Sequence, residues 1–142
     1  MTCIFCDILD GKRDGHVVYE DEDHIAFLDK YPIDDGHTLV IPKKHHGRIT
    51  DMDSDDVGKI FSIVPKIAKA VLIGSGADAF SLAQNNGKAA KQIIPHVHIH
   101  IIPRYNNKEQ NGQNVKFQLM RYCPNLQKKY GQPLFRMAWI IS

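Results

Sequence analysis

Residues 96–102 read His96-Val97-His98-Ile99-His100-Ile101-Ile102, and no other stretch of the chain limits its fold as strongly. In an extended segment successive side chains point to opposite faces, so three imidazoles share one face and Val97, Ile99 and Ile101 share the other. The aliphatic face belongs against a core, which leaves the histidine face to line a site. A single histidine in a strand is usually a surface or hydrogen-bonded residue, but strict alternation of three is not explained that way.

The surrounding pattern supplies a sheet for this segment. His16–Tyr19 and Ile25–Leu28 are rich in β-branched and aromatic residues and flank the acidic turn Glu20–Asp23, which reads as a hairpin. Turn chemistry at Tyr31-Pro32 and Asp34-Asp35-Gly36 precedes a third strand, His37–Ile41, ending at Pro42. Asp53 to Asp56 offer N-cap groups to a helix whose apolar positions Val57, Ile60, Phe61, Val64, Ile67, Ala68, Val71 and Leu72 recur at three and four residues. Pro65 should cost this helix a backbone hydrogen bond and kink it, and Gly74-Ser75-Gly76 should end it. Strands are expected at Ala79–Ala83 and Ile94–Ile102, with a turn at Asn85-Asn86-Gly87 between them. Strands around one long helix predict an α+β fold with a mainly antiparallel sheet.

Composition narrows the class. The 142 residues carry 18 basic and 16 acidic side chains and are 43% apolar, which excludes a disordered tail or a collagen. No apolar run approaches the roughly 20 residues of a bilayer span, and the start of the chain lacks the basic and hydrophobic regions of a secretory signal. A cytoplasmic protein without membrane partners is the expectation. The near-neutral balance conceals a split. Residues 1–103 hold 11 basic and 15 acidic groups, net −4, whereas residues 104–142 hold seven basic groups and Glu109 alone, net +6. The basic residues of the tail are scattered, so a solvated surface is expected there and no specific nucleic acid.

Two chemistries could use the histidine row. In the first, three imidazoles converge on one Zn²⁺ with a position left for water, yet same-face neighbours on a strand stand about 6.6 Å apart, and the outer pair about 13 Å. Alternatively one neutral imidazole attacks phosphorus while its other nitrogen is held by a hydrogen bond and its neighbours donate to phosphate oxygens. The spacing favours this division of labour.

With Gly36-His37-Thr38-Leu39-Val40-Ile41-Pro42-Lys43-Lys44-His45, Asn85, Gln92 and the block at 96–102, the chain resembles the histidine triad (HIT) superfamily over roughly residues 3–105. Cys3-Ile4-Phe5-Cys6-Asp7-Ile8 and the stretches Val18–Asp21 and Ala26–Asp29 are similar to its Hint-like branch. The resemblance implies a HIT-like α+β fold, a five-stranded antiparallel sheet with one long helix and shorter helical segments. It implies a HIT domain over residues 1–105, with residues 106–142 as an extension packed on it, and a homodimer. It implies hydrolysis or transfer at the α-phosphate of adenosine nucleotide derivatives, of the nucleoside phosphoramidate type, with purine nucleotides such as AMP derivatives as substrates. In that scheme His98 forms a nucleotidyl-histidine, His100 contacts phosphate oxygens and His37 orients the pair. Asn85, Gln92 and Ile93 fall at the phosphate end, and Phe5, Phe27, Asp29 and Lys30 at the base and ribose, with Asp29 on the ribose hydroxyls.

Zinc-bearing members imply a further site, structural Zn²⁺ on Cys3, Cys6, His45 and His96, for which His46 is a competing ligand or a surface residue. His16 and His24 sit in a polar hairpin and are given no role, and Cys123 lies outside every pattern. The chain departs from the family at Ala90-Lys91-Gln92-Ile93, where Lys91 stands for a glycine and Ile93 for a hydroxyl residue. Those departures keep open a zinc-stabilised nucleotide-binding protein with weak catalysis; a dinucleoside polyphosphate hydrolase using the same nucleophile and a metalloenzyme using the triad as ligands are the other readings.

Overall fold

The computed structural model describes residues 3–106. The extension from residue 107, including Cys123, lies outside the described residues. A short helix α1 (Ile4–Leu9) leads to strands β1 (Val17–Glu20), β2 (His24–Leu28) and β3 (Thr38–Pro42). The long helix α2 (Ser54–Ser75) follows, then β4 (Ala79–Ala83) and β5 (Ile99–Arg104), with single 3₁₀ turns at Ile49–Asp51 and Lys88–Ala90. The five strands form one antiparallel sheet in the order β1-β2-β3-β5-β4, as the α+β reading expects.

Helix α2 starts where the sequence places it. Asp53 accepts from the Asp56 amide at 2.9 Å, Asp55 and Asp56 complement the helix N-terminus, and Gly76 closes the helix at φ 68°. Pro65 does not interrupt it. Both Pro65 and Phe61, whose carbonyl loses its partner, are on the exposed side, where water can take that role. The buried stripe of Ile60, Val64, Ile67, Ala68 and Val71 packs on Val18, Ala26, Val40, Ile99 and Ile101, and each large side chain so buried contributes about 1.5–3 kcal/mol.

Register then decides what faces away from α2. Phe27 pairs with Leu39 and Leu39 with His100, whereas Ala26 pairs with Val40 and Val40 with Ile99. The first row belongs to the face carrying Phe5, Ile25 and Ile41, the second to the helix face. His100 is therefore presented on the face opposite α2.

The last strand differs from expectation. It begins at Ile99, not Ile94, and runs on to Arg104. Pro95 has no amide to give a ladder, the His96 amide donates to Ile94 O at 2.8 Å, and the Val97 amide to His46 O at 2.7 Å. Residues 94–98 thus form an irregular approach to β5. Val97, Ile99 and Ile101 are nevertheless all buried, so the alternation survives without a continuous strand.

Candidate active site and metal centre

Each histidine of the run is fixed through one ring nitrogen, and the partner identifies which nitrogen carries the proton. His98 Nδ1 lies 2.7 Å from His96 O. A carbonyl can only accept, so Nδ1 carries the hydrogen and the neutral ring keeps its lone pair on Nε2. Among the described residues nothing bonds that Nε2, and the only sealed side-chain atom without a partner is His46 Nε2. His98 Nε2 is thus open to an incoming group.

His37 and His100 form a directed chain. The Ile33 amide donates to His37 Nδ1 at 3.1 Å, so His37 carries its hydrogen on Nε2 and donates to His100 Nδ1, 2.8 Å away. His100 is left with Nε2–H, a donor with no protein partner among the described residues. Asp29 Oδ2 is 3.6 Å from His37 Nε2, too long for a hydrogen bond but close enough to act electrostatically. Burial pushes the pKa of His98 and of His37 below the ordinary value, and Asp29 opposes this. Burial, with His98 and His37 nearby, pushes His100 down to about 4. The site is a set of neutral imidazoles at neutral pH, one offering a lone pair and one an N–H.

The nitrogens at the other end point differently. His96 donates Nε2–H to Pro42 O at 2.8 Å and turns Nδ1 toward Cys3 Sγ at 3.5 Å and Cys6 Sγ at 3.7 Å, while His45 Nδ1 lies 3.3 Å from Cys6 Sγ. Tetrahedral zinc with bonds of about 2.3 Å to sulfur and 2.0–2.1 Å to nitrogen requires S···N separations near 3.6 Å. All four donor atoms lie within 4.8 Å of one another, and the carbonyl behind His96 is the support a ligating imidazole normally has. Burial, followed by Cys3, pushes the Cys6 thiol up to about 11, and a bound divalent cation would reverse that penalty. The cluster fits zinc in both donor set and spacing.

Asp29, His37 and His100 also gather their donor atoms within 4.8 Å, but hydrogen bonding opposes a cation there. A metal on His37 Nε2 would move the proton to Nδ1, against the Ile33 N–H. Nor do His96, His98 and His100 converge on one ion, since His96 turns Nδ1 to the cysteines, His98 turns Nδ1 to a carbonyl and His100 turns Nδ1 to His37. The metalloenzyme alternative is thereby corrected.

The other expected site residues divide. Phe5 and Phe27 are buried with ring centroids 5.3 Å apart, and Phe5 stands edge-on to His98 at 5.2 Å. Asp29 accepts from the Tyr31 amide at 2.9 Å and keeps Oδ2 toward the histidines. Lys30 is exposed and lies 5.7 Å from the Tyr31 ring centre. Asn85 is half-buried, and its side chain makes no hydrogen bond among the described residues. Gln92 uses its amide inside the protein, accepting from the Gly87 amide at 2.6 Å and donating to Gly47 O at 2.7 Å, so it shapes the 87–92 loop. Ile93 is 86% exposed. Lys91 adopts φ 62°, the only positive φ outside glycine among the described residues, which is why a glycine suits the position.

Two expectations need correction. His46 is buried, not on the surface, and takes no place among the four gathered metal donors. His24, read as part of a polar hairpin, is buried against Asp21 at 3.1 Å, because the turn carboxylate folds back over it. Sequence reasoning missed Ile33, whose amide fixes a tautomer. A backbone donor leaves no trace in residue type.

Comparison with known proteins places the chain in a family. The HIT domain family model matches residues 10–107. An uncharacterised HIT-like protein of Methanocaldococcus jannaschii is 47% identical over 115 residues, 81% of this chain and 86% of its own. An adenosine 5'-monophosphoramidase of Schizosaccharomyces pombe is 35% identical over 94% of this chain and 96% of its own. An adenylylsulfatase of Arabidopsis thaliana is 38% identical over 92% of this chain and 64% of its own. Among solved structures, a histidine triad nucleotide-binding protein of Sulfolobus tokodaii superposes with a TM-score of 0.79 at 32% identity, covering 92% of this chain and 97% of that one. A zinc-bound histidine triad family protein of Mycobacterium smegmatis does so at 0.75 and 35%, covering 85% and 95%. With its triad nitrogens set in this order, and with these relatives along most of its length, the chain belongs to the HIT domain family.

Proposed function

We propose that this protein is a nucleotide hydrolase or transferase acting at the α-phosphate of adenosine derivatives, of the phosphoramidate type, through a covalent intermediate on His98. The observation that carries this reading is the 2.7 Å bond from His98 Nδ1 to His96 O, which leaves Nε2 as the lone-pair nitrogen. Nε2 attacks the α-phosphorus and a P–N bond forms. The bond to the leaving group breaks, and that group departs with the electron pair and takes a proton from solvent. The His96 carbonyl stabilises the positive ring that results. Water then attacks the same phosphorus, the P–N bond breaks back to Nε2, and the water's proton returns to solvent. His100 Nε2–H donates to a phosphate oxygen, where charge accumulates, and His37 holds His100 in that tautomer.

Asp29 Oδ2 is suited to accept from ribose hydroxyls, and Asn85 to donate near the phosphate. Phe5 and Phe27 would back the base, with the exposed Lys30 on the base and ribose side, the exposed Ile93 on the phosphate side and Gln92 shaping the 87–92 loop. Cys3, Cys6, His45 and His96 would hold a structural zinc, tying α1 to the approach of β5. Bound there, the metal supplies folding energy with every position filled by protein.

We also expect a homodimer in a cytoplasmic setting. The sheet ends at β4 with Phe80 and Leu82 partly exposed, and among the described residues no helix is long and apolar enough to cross a membrane. Light scattering on the purified protein tests the dimer.

The test of substrate is a panel: an adenosine 5'-phosphoramidate, adenylylsulfate and a diadenosine polyphosphate. The phosphoramidate should give the highest kcat/KM. Preferential cleavage of the dinucleotide would replace this reading with the polyphosphate hydrolase, and tight AMP binding without turnover would replace it with a binding protein.

A further inference from the structure

The tautomer of His37, and through it that of His100, depends on one backbone amide in the loop 30–36. That loop contains an exposed Tyr31 and Ile33 and has little side-chain packing of its own. Something must hold the Ile33 N–H in line, and the structure shows what does. The Tyr105 hydroxyl donates to Asp35 O at 2.6 Å, and the Arg104 guanidinium reaches Asp34 Oδ2 at 3.5 Å. Asp34 O in turn accepts from the His37 amide at 3.1 Å, which closes the loop onto the start of β3.

The two gripping residues are themselves fixed. Arg104 ends β5 opposite Ala79, its Nε donates to Ser81 Oγ at 3.2 Å, and its carbonyl accepts from the Asp78 amide at 3.0 Å. Tyr105 is half-buried, and burial pushes its pKa up, so its hydroxyl stays a donor. The loop is therefore anchored to the β4–β5 ladder. The alternative, a loop held only by its turn residues, would let the Ile33 amide drift. His37 Nδ1 could then take the proton, and His100 would lose its fixed donor direction.

We infer that Arg104 and Tyr105 are positioning residues of the active site, holding the 30–36 loop so that the Ile33 amide fixes the proton on His37 Nε2 and hence on His100 Nε2. Neither residue touches the histidines by a hydrogen bond; Tyr105 acts through the loop, and Arg104 through the loop and through its charge, which opposes protonation of His37. The functional consequence rests on the reading of His100 as the donor to phosphate, whereas the tautomer itself is observable without any substrate.

The experiment uses the full chain with its metal and compares wild type with Tyr105→Phe, which keeps the ring and removes only the hydroxyl, and with Arg104→Gln. Nitrogen-15 NMR of the imidazoles reports which ring nitrogen is protonated. In wild type His37 and His100 should each show a single Nε2–H form at neutral pH. In Tyr105→Phe His37 should show a mixture of both forms, and kcat should fall about tenfold with KM changed less than about twofold, a part of what a positioned proton donor contributes. Arg104→Gln should move both readouts in the same direction by less, because its contact is longer and exposed. Unchanged single tautomers in both variants would overturn the inference, as would a higher KM with kcat untouched, the mark of a loop that merely supports binding. Should the protein cleave none of the nucleotide substrates, the proposed function fails and the tautomer readout alone decides the role of the clamp.

Discussion

His96 and His100 lie four residues apart on one face of one segment, yet they present opposite nitrogens to their surroundings. His96 gives Nε2–H to the Pro42 carbonyl and faces two thiols with Nδ1, whereas His100 receives a hydrogen at Nδ1 and faces outward with Nε2–H. Residue type is the same, although His96 is fully buried and His100 half-buried. The atom on the far side of each ring differs, and that partner decides whether an imidazole can serve as a ligand or as a donor. His98 stands between them with a third arrangement, its lone pair left on Nε2 by the His96 carbonyl. A row of three identical side chains is thereby suited to three roles, ligand, nucleophile and donor, through a carbonyl acceptor on β3, a carbonyl acceptor in the segment itself and the N–H that His37 donates.

The comparison can be broken from either end. His98→Asn should lower turnover by at least about 10³-fold, the scale expected when a covalent nucleophile is removed, while metal content and thermal midpoint stay near wild type. His37→Asn should lower kcat by about 10²-fold through the freed His100 ring, again with the metal retained, as metal analysis beside steady-state kinetics would show. At the other end, Cys3→Ala should release zinc and cost about 3 kcal/mol of stability in a denaturant titration, with turnover at low temperature within about threefold of wild type. Chelation that abolished turnover without lowering stability would contradict the assignment of zinc to structure.

A pH titration sharpens the same contrast. The folded His100 has a pKa of about 4, and that of His37 also lies below the ordinary 6.5, because burial disfavours the charged ring. The unfolded chain binds protons first as pH falls. The stability from these groups is therefore fully present above about 6.5 and is lost as pH drops from 6.5 toward 4. Turnover should stay level from pH 8 to 6 and fall only at lower pH. A midpoint for kcat near 6.5 would contradict the buried neutral pair. The smallest effect is expected at Lys91→Gly, where relief of the left-handed backbone strain should raise stability by up to about 1 kcal/mol.

Much of this arrangement was legible in the residues. The alternation at 96–102, the helix periodicity from Val57 to Leu72 and the turn chemistry around Gly36 fix strands, helix and a histidine face through side-chain type alone. The Cys3-x-x-Cys6 spacing pointed to a metal, although its partners on other elements came only through family resemblance. What stayed hidden depended on main-chain groups. Pro95 and the His46 carbonyl delay β5 to Ile99, and the Ile33 amide sets a tautomer, but neither a carbonyl nor an amide position can be read from one-letter codes. His46 and His24 were misplaced for a related reason, since burial of a polar ring depends on how loops fold over it.

During turnover His98 Nε2 should become bonded to phosphorus. The direct measurement is a rapid alkaline quench of the protein during turnover of an adenosine 5'-phosphoramidate, followed by peptide mapping by mass spectrometry. An adenylyl adduct is expected on the peptide containing His98, located on that side chain and absent from His98→Asn. Turnover with no adduct, together with an active His98→Asn, would contradict it, as would an adduct carried by any other residue.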